Sequence, residues 1–401
     1  MTVKLDTRSI ESASATEIYI SAVPGESASG RKQAQEIFSG ISDILRSKKA
    51  YILQERVFAA QSAMEILSRE RSRAYGDLDD GVAPSFLLAK EGLLGPVAGA
   101  QVHAISTNIQ PEVVKLNGKL CGRILRTPAA PTRVGRRGGR SGRDPALRES
   151  CTYLTLSNIS AATLRSSSLR STNPQYSEAT EQAQAMMKTA ESVLKQFGAD
   201  FLSVPRTWMW LKDILSWYDD FNHIRTEFFT ERRLIGEGTR QSMPASTGIG
   251  LGPADGSHCA MDLTAVLEPQ NSIKFLQAVG KQQCALEYGS AFSRASRAIT
   301  PAGQTVFVSG TASIDADGAT THIGDASGQI STTIGNVRAV LSDMNCRDED
   351  VVQMVAYCKT TEVEKIFNDS KGTLNWPWLT AICDICRPDL LFEIEATAMP
   401  R

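Results

Sequence analysis

Apolar positions recur at the three- and four-residue spacing of an amphipathic helix in three separate stretches of the chain. The helices that they predict begin near Gln33, Gln182 and Gln329, at nearly equal intervals. One strand-like run precedes each helix and another follows it. The preceding runs are Glu17–Val23, Thr152–Ile159 and Gln304–Ile314, and the following runs are Tyr51–Phe58, Asp200–Trp208 and Val351–Cys358. The repeated order of strand, helix and strand predicts three copies of one structural unit.

Each copy continues with a second helix and then a proline that opens another strand. The second helices are predicted at Ala63–Tyr75, Ile214–Phe229 and, in a shorter form, Val363–Asn368. The prolines are Pro84, Pro244 and Pro377. Proline has no amide hydrogen to donate, so within a sheet it is tolerated at the first residue of a strand. The common place of the prolines supports three related units.

The last apolar run, Leu390–Ala396, alternates so that Glu393 and Glu395 lie on one face of a strand. The residues that correspond to Glu393 in the middle and first copies are Asp262 and Gln101, so only the last copy has Glu at this position. A strand, a helix and a strand that are closed by a Glu-bearing strand resemble the YjgF-like (reactive intermediate deaminase) superfamily.

This resemblance implies an α+β fold of tandem YjgF-like (chorismate mutase-like) units, each a mixed sheet with helices on one face. Proteins of this superfamily cover the other face by trimerising around a barrel, with clefts between neighbouring subunits. Three linked copies would close the same arrangement within one chain as an intramolecular pseudo-trimer. The expected domains are 1–110, a degenerate unit; 111–150, a basic connection; 151–270, a unit with an aromatic and Arg-rich block; and 271–401, the unit with the catalytic Glu.

The composition is that of an ordinary soluble chain of 401 residues, with 42% hydrophobic residues and a formal net charge of -1. This charge balance provides no attraction to nucleic acid or to a membrane surface. The polar start, Met1–Ala15, lacks the apolar core of a secretory signal, and no run reaches the roughly 18 apolar residues of a membrane span. We therefore expect a cytoplasmic protein without a membrane or nucleic-acid partner. Three units in one chain favour a monomer or a weak dimer.

The eight cysteines are scattered along the chain, which is typical of reduced thiols in a protein without a signal sequence. Cys383 and Cys386 form a CxxC pair, but no second CxxC exists and the chain has only four His. A structural zinc site would need four such ligands at suitable spacing. We therefore predict no metal, and the chemistry considered below needs no organic cofactor.

A basic segment separates the first two units. Lys115–Arg148 contains ten Lys or Arg residues, several of them interleaved with Gly and Pro. Three interpretations fit this composition: a disordered linker, a nucleic-acid arm, or a loop that supplies Arg to an anionic ligand. The lack of interleaved aromatic residues and the balanced charge of the rest of the chain disfavour the nucleic-acid arm. The other two interpretations stay open.

Four segments of the second and third units carry a more specific resemblance. They are Val204–Trp210, Trp217–Asn222, Ser242–Gly250 and Glu287–Ala295. This aromatic-rich combination is similar to the chorismatases, and the likeness covers Thr152–Arg401. Members of that family hydrolyse or rearrange chorismate and release pyruvate. The imine-hydrolysing branch of the superfamily keeps an Arg two residues after the proline of the closing hairpin, whereas this chain has Leu379 there, which argues against imine hydrolysis.

The resemblance implies roles for particular residues. Chorismate is a dianion whose enolpyruvyl ether is cleaved after a proton reaches the enol methylene carbon, so the site requires a neutral acid and cations. Glu393 is the predicted acid, with a pKa raised by a partly apolar cleft. The predicted carboxylate-binding residues are Arg206, Arg225 and Arg294, and the predicted hydroxyl donors are Tyr218 and Tyr288. Simpler explanations exist: a salt bridge for Arg206, a surface charge for Arg225 and packing for Tyr218.

The family divides by product. Some members yield a dihydroxycyclohexadiene carboxylate by hydrolysis, and others yield 3-hydroxybenzoate by internal attack and aromatisation. A Cys seven residues before the acid marks the second group, and Cys386 stands at that distance from Glu393. The resemblance therefore implies a chorismatase that forms pyruvate and 3-hydroxybenzoate, with Cys386 as a second residue of the catalytic site. The alternatives are a hydrolytic chorismatase and a non-catalytic YjgF-like protein that binds a small carboxylate.

Overall fold

The computed structural model describes residues 3–25, 29–128, 150–160, 178–236, 241–280, 282–372 and 374–400. These residues form three six-stranded sheets and six α-helices. In this part of the chain, no helix combines the length and the apolar character that crossing a membrane requires. The Arg133–Arg148 part of the basic segment lies outside the described residues, so its two open interpretations stay predictions.

Each unit supplies one set of strands and two helices. The first has β1 (Lys4–Glu11), β2 (Thr16–Val23), β3 (Ala50–Ala59), β4 (Ser85–Leu88) and β5 (Val97–Ser106), with α1 (Gly30–Lys48) and α2 (Gln61–Tyr75). The second has β6 (Glu112–Leu116), β7 (Lys119–Thr127), β8 (Cys151–Ser160), β9 (Arg206–Leu211), β10 (Ala245–Ile249), β11 (Gly252–Pro253) and β12 (Cys259–Glu268), with α3 (Glu178–Gln196) and α4 (Tyr218–Glu231). The third has β13 (Lys274–Leu276), β14 (Ala295–Thr300), β15 (Gly303–Ala312), β16 (Val351–Cys358), β17 (Trp378–Ile382) and β18 (Phe392–Ala398), with α5 (Ala326–Asp343) and α6 (Thr361–Ser370).

The three sheets share one order of five strands; the sixth strand is β11 of the second unit in the first sheet, β6 in the second sheet and β13 in the third. This order is β1-β2-β5-β3-β4 in the first sheet, β7-β8-β12-β9-β10 in the second and β14-β15-β18-β16-β17 in the third. The strand that follows each proline pairs in parallel with the strand that follows the first helix: β4 with β3, β10 with β9, and β17 with β16. The repeat confirms the predicted α+β fold of tandem YjgF-like units, with mixed sheets.

The protein has two kinds of hydrophobic core, one within each unit and one between the units. One cluster in each unit packs its helices on one face of its sheet. The opposite faces of the three sheets, here called the inner faces, meet in two further clusters. One inner cluster includes Phe58, Trp210 and Leu379, and the other includes Tyr19, Tyr153 and Phe307. Each inner cluster contains residues of all three units, which confirms the predicted intramolecular pseudo-trimer; burial of these apolar faces is its main driving force.

The predicted strand Asp200–Trp208 is wrong in its first half. The Asp200 side chain accepts a 2.8 Å hydrogen bond from the amide of Leu202 and caps a 3₁₀ turn there. Pro205 follows this turn, and the strand β9 begins only at Arg206. A short polar side chain that bonds to its own backbone competes with strand pairing in this way.

The first half of the predicted basic connection is part of the second sheet. The strands β6 and β7 pair with each other, and β7 pairs with β8. Their apolar side chains Val114, Leu116 and Ile124 are buried in the helix-facing core of the second unit. The abundance of Lys and Arg in this segment hides the alternation of its apolar positions. The domain boundaries given above stay a proposal.

Candidate active site

A small cleft of about 50 Å³ lies where the second and third units meet. Hydrogen bonds join the two units beside the cleft. The Ser246 amide on β10 donates to Ser309 Oγ on β15 at 2.8 Å, and the Ser309 hydroxyl donates to the Ser293 carbonyl at 2.5 Å. All the predicted site residues except Arg206 line this cleft. They are Tyr218 and Arg225 on α4, Tyr288 and Arg294 ahead of β14, Cys386 after β17, and Glu393 on β18.

Glu393 lies on the inner face of the third sheet. Its strand neighbours are Ala312 on β15 and Tyr357 on β16, and the residue is only 4% exposed. The ladder between β15 and β18 is irregular beside Gly310. The missing side chain of Gly310 provides the room that the carboxyl occupies, because a Cβ at this position would collide with Glu393 Oε1. The two strands therefore hold the acid close against the backbone.

The pKa of the Glu393 carboxyl is raised to about 8, and burial is the largest cause. The negative charge of Glu395, which follows two residues later on the same strand face, also contributes to the increase, while the positive charges of Arg206 and Arg387 oppose it. A carboxyl with this pKa is mostly protonated at neutral pH. It can therefore act as a general acid.

Arg225 and Arg294 reach the cleft from different units, and each is only 1% exposed. Arg225 donates a 2.6 Å hydrogen bond to Asn222, whereas its Nε has no hydrogen-bond partner among the described residues. Arg294 donates to the Gln283 carbonyl through Nε at 3.0 Å and through Nη2 at 2.7 Å. The burial of Arg225 excludes the simpler explanation of this residue as a surface charge. Both guanidinium groups are placed to meet an anion inside the cleft.

Arg206 does not line the cleft in the described structure. It is buried on the inner face of β9, where it donates to Glu395 at 2.7 Å and to the Thr247 hydroxyl at 2.6 Å. Burial lowers the pKa of its guanidinium to about 10, a value at which the group stays charged at neutral pH. The simpler explanation of Arg206 as a salt-bridge partner describes these contacts, so its position does not support a role in binding a substrate carboxylate.

Tyr218, Tyr288 and Cys386 supply the neutral donors of the cleft. The ring centroid of Tyr288 lies 5.3 Å from Cζ of Arg294 and 5.5 Å from Cζ of Arg387. Burial raises the pKa of both tyrosine hydroxyls and raises the pKa of the Cys386 thiol to about 12. All three groups therefore keep their protons at neutral pH and can donate hydrogen bonds.

Sequence reasoning misses Arg387, a third cation of the cleft. It follows Cys386 directly, donates a hydrogen bond to the Gly318 carbonyl and contributes positive charge near Glu393. In the sequence, Arg387 is marked only by its place directly after the CxxC pair, and this place does not indicate an arginine that lines a cleft. Ser290 and Phe292, which also line the cleft, lie within the Glu287–Ala295 segment that carries the family resemblance.

Asp262 of the second unit, and Gln101, which the sequence predicts to correspond to Glu393 in the first, are occupied by internal contacts. The Asp262 carboxylate accepts a 3.1 Å hydrogen bond from Arg56, which belongs to the first unit. Gln101 donates a 2.8 Å hydrogen bond to the Met354 carbonyl of the third unit. Of these three residues, Glu393 is the one that lines the cleft.

The described residues contain no group of three or more His, Cys, Asp or Glu that could hold a metal ion. All eight cysteines are free thiols, including the Cys383 and Cys386 pair. The expectation that the protein uses no metal or organic cofactor stays a prediction.

Comparisons with known proteins extend these observations. A family model described as Endoribonuclease L-PSP matches residues 287–400, which lie in the third unit. A 3-hydroxybenzoate synthase from Streptomyces hygroscopicus is 30% identical over 257 residues, which cover 55% of this chain and 70% of that protein. A crystal structure of a chorismatase covers 100% of both chains with a TM-score of 0.57 at 17% identity. A YjgF family protein from Neisseria meningitidis covers 32% of this chain and 95% of its own, with a TM-score of 0.24 at 16% identity.

The three repeated sheets and the cleft with Glu393 between two of them define the class as a YjgF-like pseudo-trimer. The full-length match to a chorismatase structure shows the same fold. The extent of the match to the Streptomyces protein shows the family, and this chain belongs to the chorismatase-type, 3-hydroxybenzoate synthase family of YjgF-like proteins.

Proposed function

We propose that this protein is a chorismatase that cleaves the enolpyruvyl ether of chorismate and forms pyruvate and 3-hydroxybenzoate. The observation that carries the proposal is Glu393, whose pKa of about 8 leaves a protonated carboxyl in a cleft with buried cations. A neutral acid beside cations is the combination that ether cleavage in a dicarboxylate requires. The product described for the Streptomyces relative gives additional support.

In the proposed reaction, Glu393 transfers its proton to the methylene carbon of the enol ether and becomes a carboxylate. The electron pair of the double bond forms the new C–H bond, which leaves an oxocarbenium centre next to the ether oxygen. A ring hydroxyl then attacks the adjacent ring carbon that carries the ether and returns its proton to Glu393. The ether C–O bond breaks, its electron pair neutralises the oxocarbenium centre, and pyruvate departs. Loss of a ring C–H proton and protonation of the bridging oxygen leave the aromatic phenol. Pyruvate and hydroxybenzoate together contain all the atoms of chorismate, so no co-substrate is consumed. Hydrolysis to the dihydroxycyclohexadiene acid would consume a water molecule.

Substrate binding in this proposal uses Arg225, Arg294 and Arg387, which surround the cleft. Chorismate carries two carboxylates, and the planar guanidinium of Arg can bind a carboxylate through two hydrogen bonds. The buried positions of Arg225 and Arg294 strengthen such contacts because little water competes for them. Tyr218 and Tyr288 can donate hydrogen bonds to the oxygen atoms of the substrate.

The proposed function predicts a pH dependence. We expect kcat to fall as the pH rises through about 8, the pKa of Glu393, because the acid donates only in its protonated form and loses that form above its pKa. Pyruvate release at saturating chorismate, measured between about pH 6 and about pH 10, checks this. A decline centred in the range of an ordinary glutamate would contradict the assignment of Glu393 as the acid.

Cys386→Ala is expected to change the product rather than the rate of ether cleavage. The thiol lines the cleft and is neutral, so its loss removes volume and a weak donor beside the ring without removing the acid. We expect pyruvate release to be kept within about tenfold and the share of the dihydroxycyclohexadiene acid to rise as water enters. Chromatography of the ring products measures this share, with Cys346→Ala, a buried thiol outside the cleft, as the matched control. An unchanged product ratio would remove Cys386 from the account of the product.

The first experiment is incubation of the purified protein with chorismate. Pyruvate would be assayed enzymatically and the aromatic product identified by chromatography. Pyruvate with 3-hydroxybenzoate supports the full proposal, and pyruvate with the dihydroxycyclohexadiene acid supports a hydrolytic chorismatase. Chorismate binding by calorimetry without pyruvate release would instead support the non-catalytic carboxylate-binding protein.

A further inference from the structure

A second buried acid, Glu395, lies beside the candidate acid. It follows Glu393 by two residues on β18, shares the same inner face and is 4% exposed. Its carboxylate accepts hydrogen bonds from Arg206 Nη2 at 2.7 Å and from Trp208 Nε1 at 3.0 Å. Both donors belong to β9 of the second unit. These contacts therefore cross the same boundary between units at which the cleft lies.

The donors that hold Glu395 are themselves fixed. The Cζ atom of Arg206 lies 4.6 Å from the ring centroid of Trp208, and the Cζ atom of Arg56 lies 3.6 Å from it. A cation over an indole ring is an attractive arrangement, and it is stronger where water is excluded. Two such contacts restrict the ring of Trp208, whose N–H is bonded to Glu395. The site is therefore rigid enough to keep a negative charge at one place.

We propose that Glu395 is a positioning residue for the candidate acid: its carboxylate, held in place by Arg206 and Trp208, keeps the neighbouring Glu393 carboxyl protonated and available to the cleft. The inference rests on the proposed function. Two carboxyls on one buried strand face ionise together only at a high cost. The salt bridge to Arg206 assigns the charge to Glu395, and the proton consequently stays on Glu393. In agreement, Glu395 is the second cause, after burial, of the raised pKa of Glu393.

Other groups around Glu393 act in known directions. The titratable or charged side chains that face it from neighbouring elements of the described structure are Arg206 on β9, Tyr218 on α4, Tyr357 on β16, and Cys383, Cys386 and Arg387 after β17. The two arginines favour the ionised form of Glu393 and so oppose Glu395. Burial raises the pKa of both tyrosine hydroxyls and of both thiols, so these four groups are uncharged at neutral pH. Glu395 is therefore the negative charge on which the inference depends.

The test is a titration of Glu393 that needs no substrate. Protein labelled with carbon-13 at the glutamate carboxyl would be followed by NMR as a function of pH, and the Glu393 signal would be assigned by its loss in Glu393→Gln. In Glu395→Gln, we expect the midpoint of this signal to fall by about one pH unit or more, because a negative neighbour is removed and Arg206 is left as an uncompensated positive one. An unchanged midpoint in the folded variant overturns the proposal.

A second variant covers the case in which the unpaired Arg206 prevents folding of Glu395→Gln. The double variant Glu395→Gln with Arg206→Gln has no unpaired buried charge at this place. Its midpoint should lie below that of the wild type, because Glu395 influences the pKa of Glu393 more than Arg206 does, but above that of Glu395→Gln. A midpoint equal to or above that of the wild type overturns the proposal.

Measurements of chorismate turnover distinguish a failure of this inference from a failure of the proposed function. If chorismate is cleaved, the alkaline limb of the kcat profile should move to lower pH in Glu395→Gln together with the NMR midpoint. A lower kcat with an unmoved limb would show a merely structural role for Glu395. Shifted midpoints in a protein that does not cleave chorismate would reject the chorismatase proposal and leave the electrostatic role of Glu395 intact.

Discussion

Glu393→Gln is expected to lower kcat for the proposed pyruvate release from chorismate by about 10²- to 10⁴-fold, the usual contribution of a general acid. Glutamine has nearly the same size and fits the same 4% exposed position, so the shape of the cleft is kept. Its amide cannot deliver a proton to the methylene carbon. The expected defect therefore lies in kcat, whereas the arginines of the cleft should preserve chorismate affinity within a few-fold.

Steady-state release of pyruvate and calorimetric binding of chorismate measure the two parts of this expectation. Glu227→Gln is the matched control. Glu227 is an exposed residue of α4, so this substitution makes the same chemical change away from the cleft. The control should be as active as the wild type. A Glu393→Gln variant that keeps more than about half of the wild-type kcat would show that another group delivers the proton.

Gly310→Ala is expected to lower kcat by about 10²-fold, because displacement of a catalytic group by about 1 Å can cost that much. An alanine Cβ would occupy the place of Glu393 Oε1 and would also lie 3.2 Å from a methyl carbon of Thr247. The carboxyl must then rotate away from the backbone. Gly310 has no left-handed backbone conformation, so the effect comes from the loss of space rather than from backbone strain.

Gly335→Ala is the matched control for this prediction. Gly335 lies on α5, and a Cβ there would meet no atom within 4 Å. This variant should keep the wild-type kcat and gain about 0.5 to 1 kcal/mol in the free energy of unfolding, because alanine is the better helix former. Activity and thermal unfolding would be measured for both variants. Full activity of Gly310→Ala would show that the position of the Glu393 carboxyl is not critical.

Much of the fold follows from local patterns. The prolines Pro84, Pro244 and Pro377 precede strands in the structure as the sequence predicts, because a residue without an amide hydrogen has few other places in a sheet. Helical and strand periods also place the first helix and the flanking strands of each unit, apart from the start of β9. Local signals fail at the β6 and β7 strands, whose charged residues mask the apolar positions that face the core.

The candidate site is harder to predict, because its side chains belong to different units. Alternation along β18 places Glu393 and Glu395 on one face, but it cannot show which of the two meets a cation. Arg206 and Glu395 are 189 residues apart in the chain, and their contact exists only because two inner faces meet. Arg387 reaches the cleft for the same reason. Arg206 and Arg387 are the same type of residue, so the sequence does not show that their environments differ.

The sequence by itself determined the repeated α+β unit, the closing strand with its acid and the family resemblance, since each depends on spacing between nearby residues. Only the tertiary structure decided the surroundings of the acids. Asp262 is neutralised by Arg56 from another unit, whereas Glu393 is buried beside Gly310 and faces the cleft. The physical reason is that burial and charge pairing depend on the side chains that neighbouring units bring to one place. The spacing of residues along the chain does not show which side chains these are.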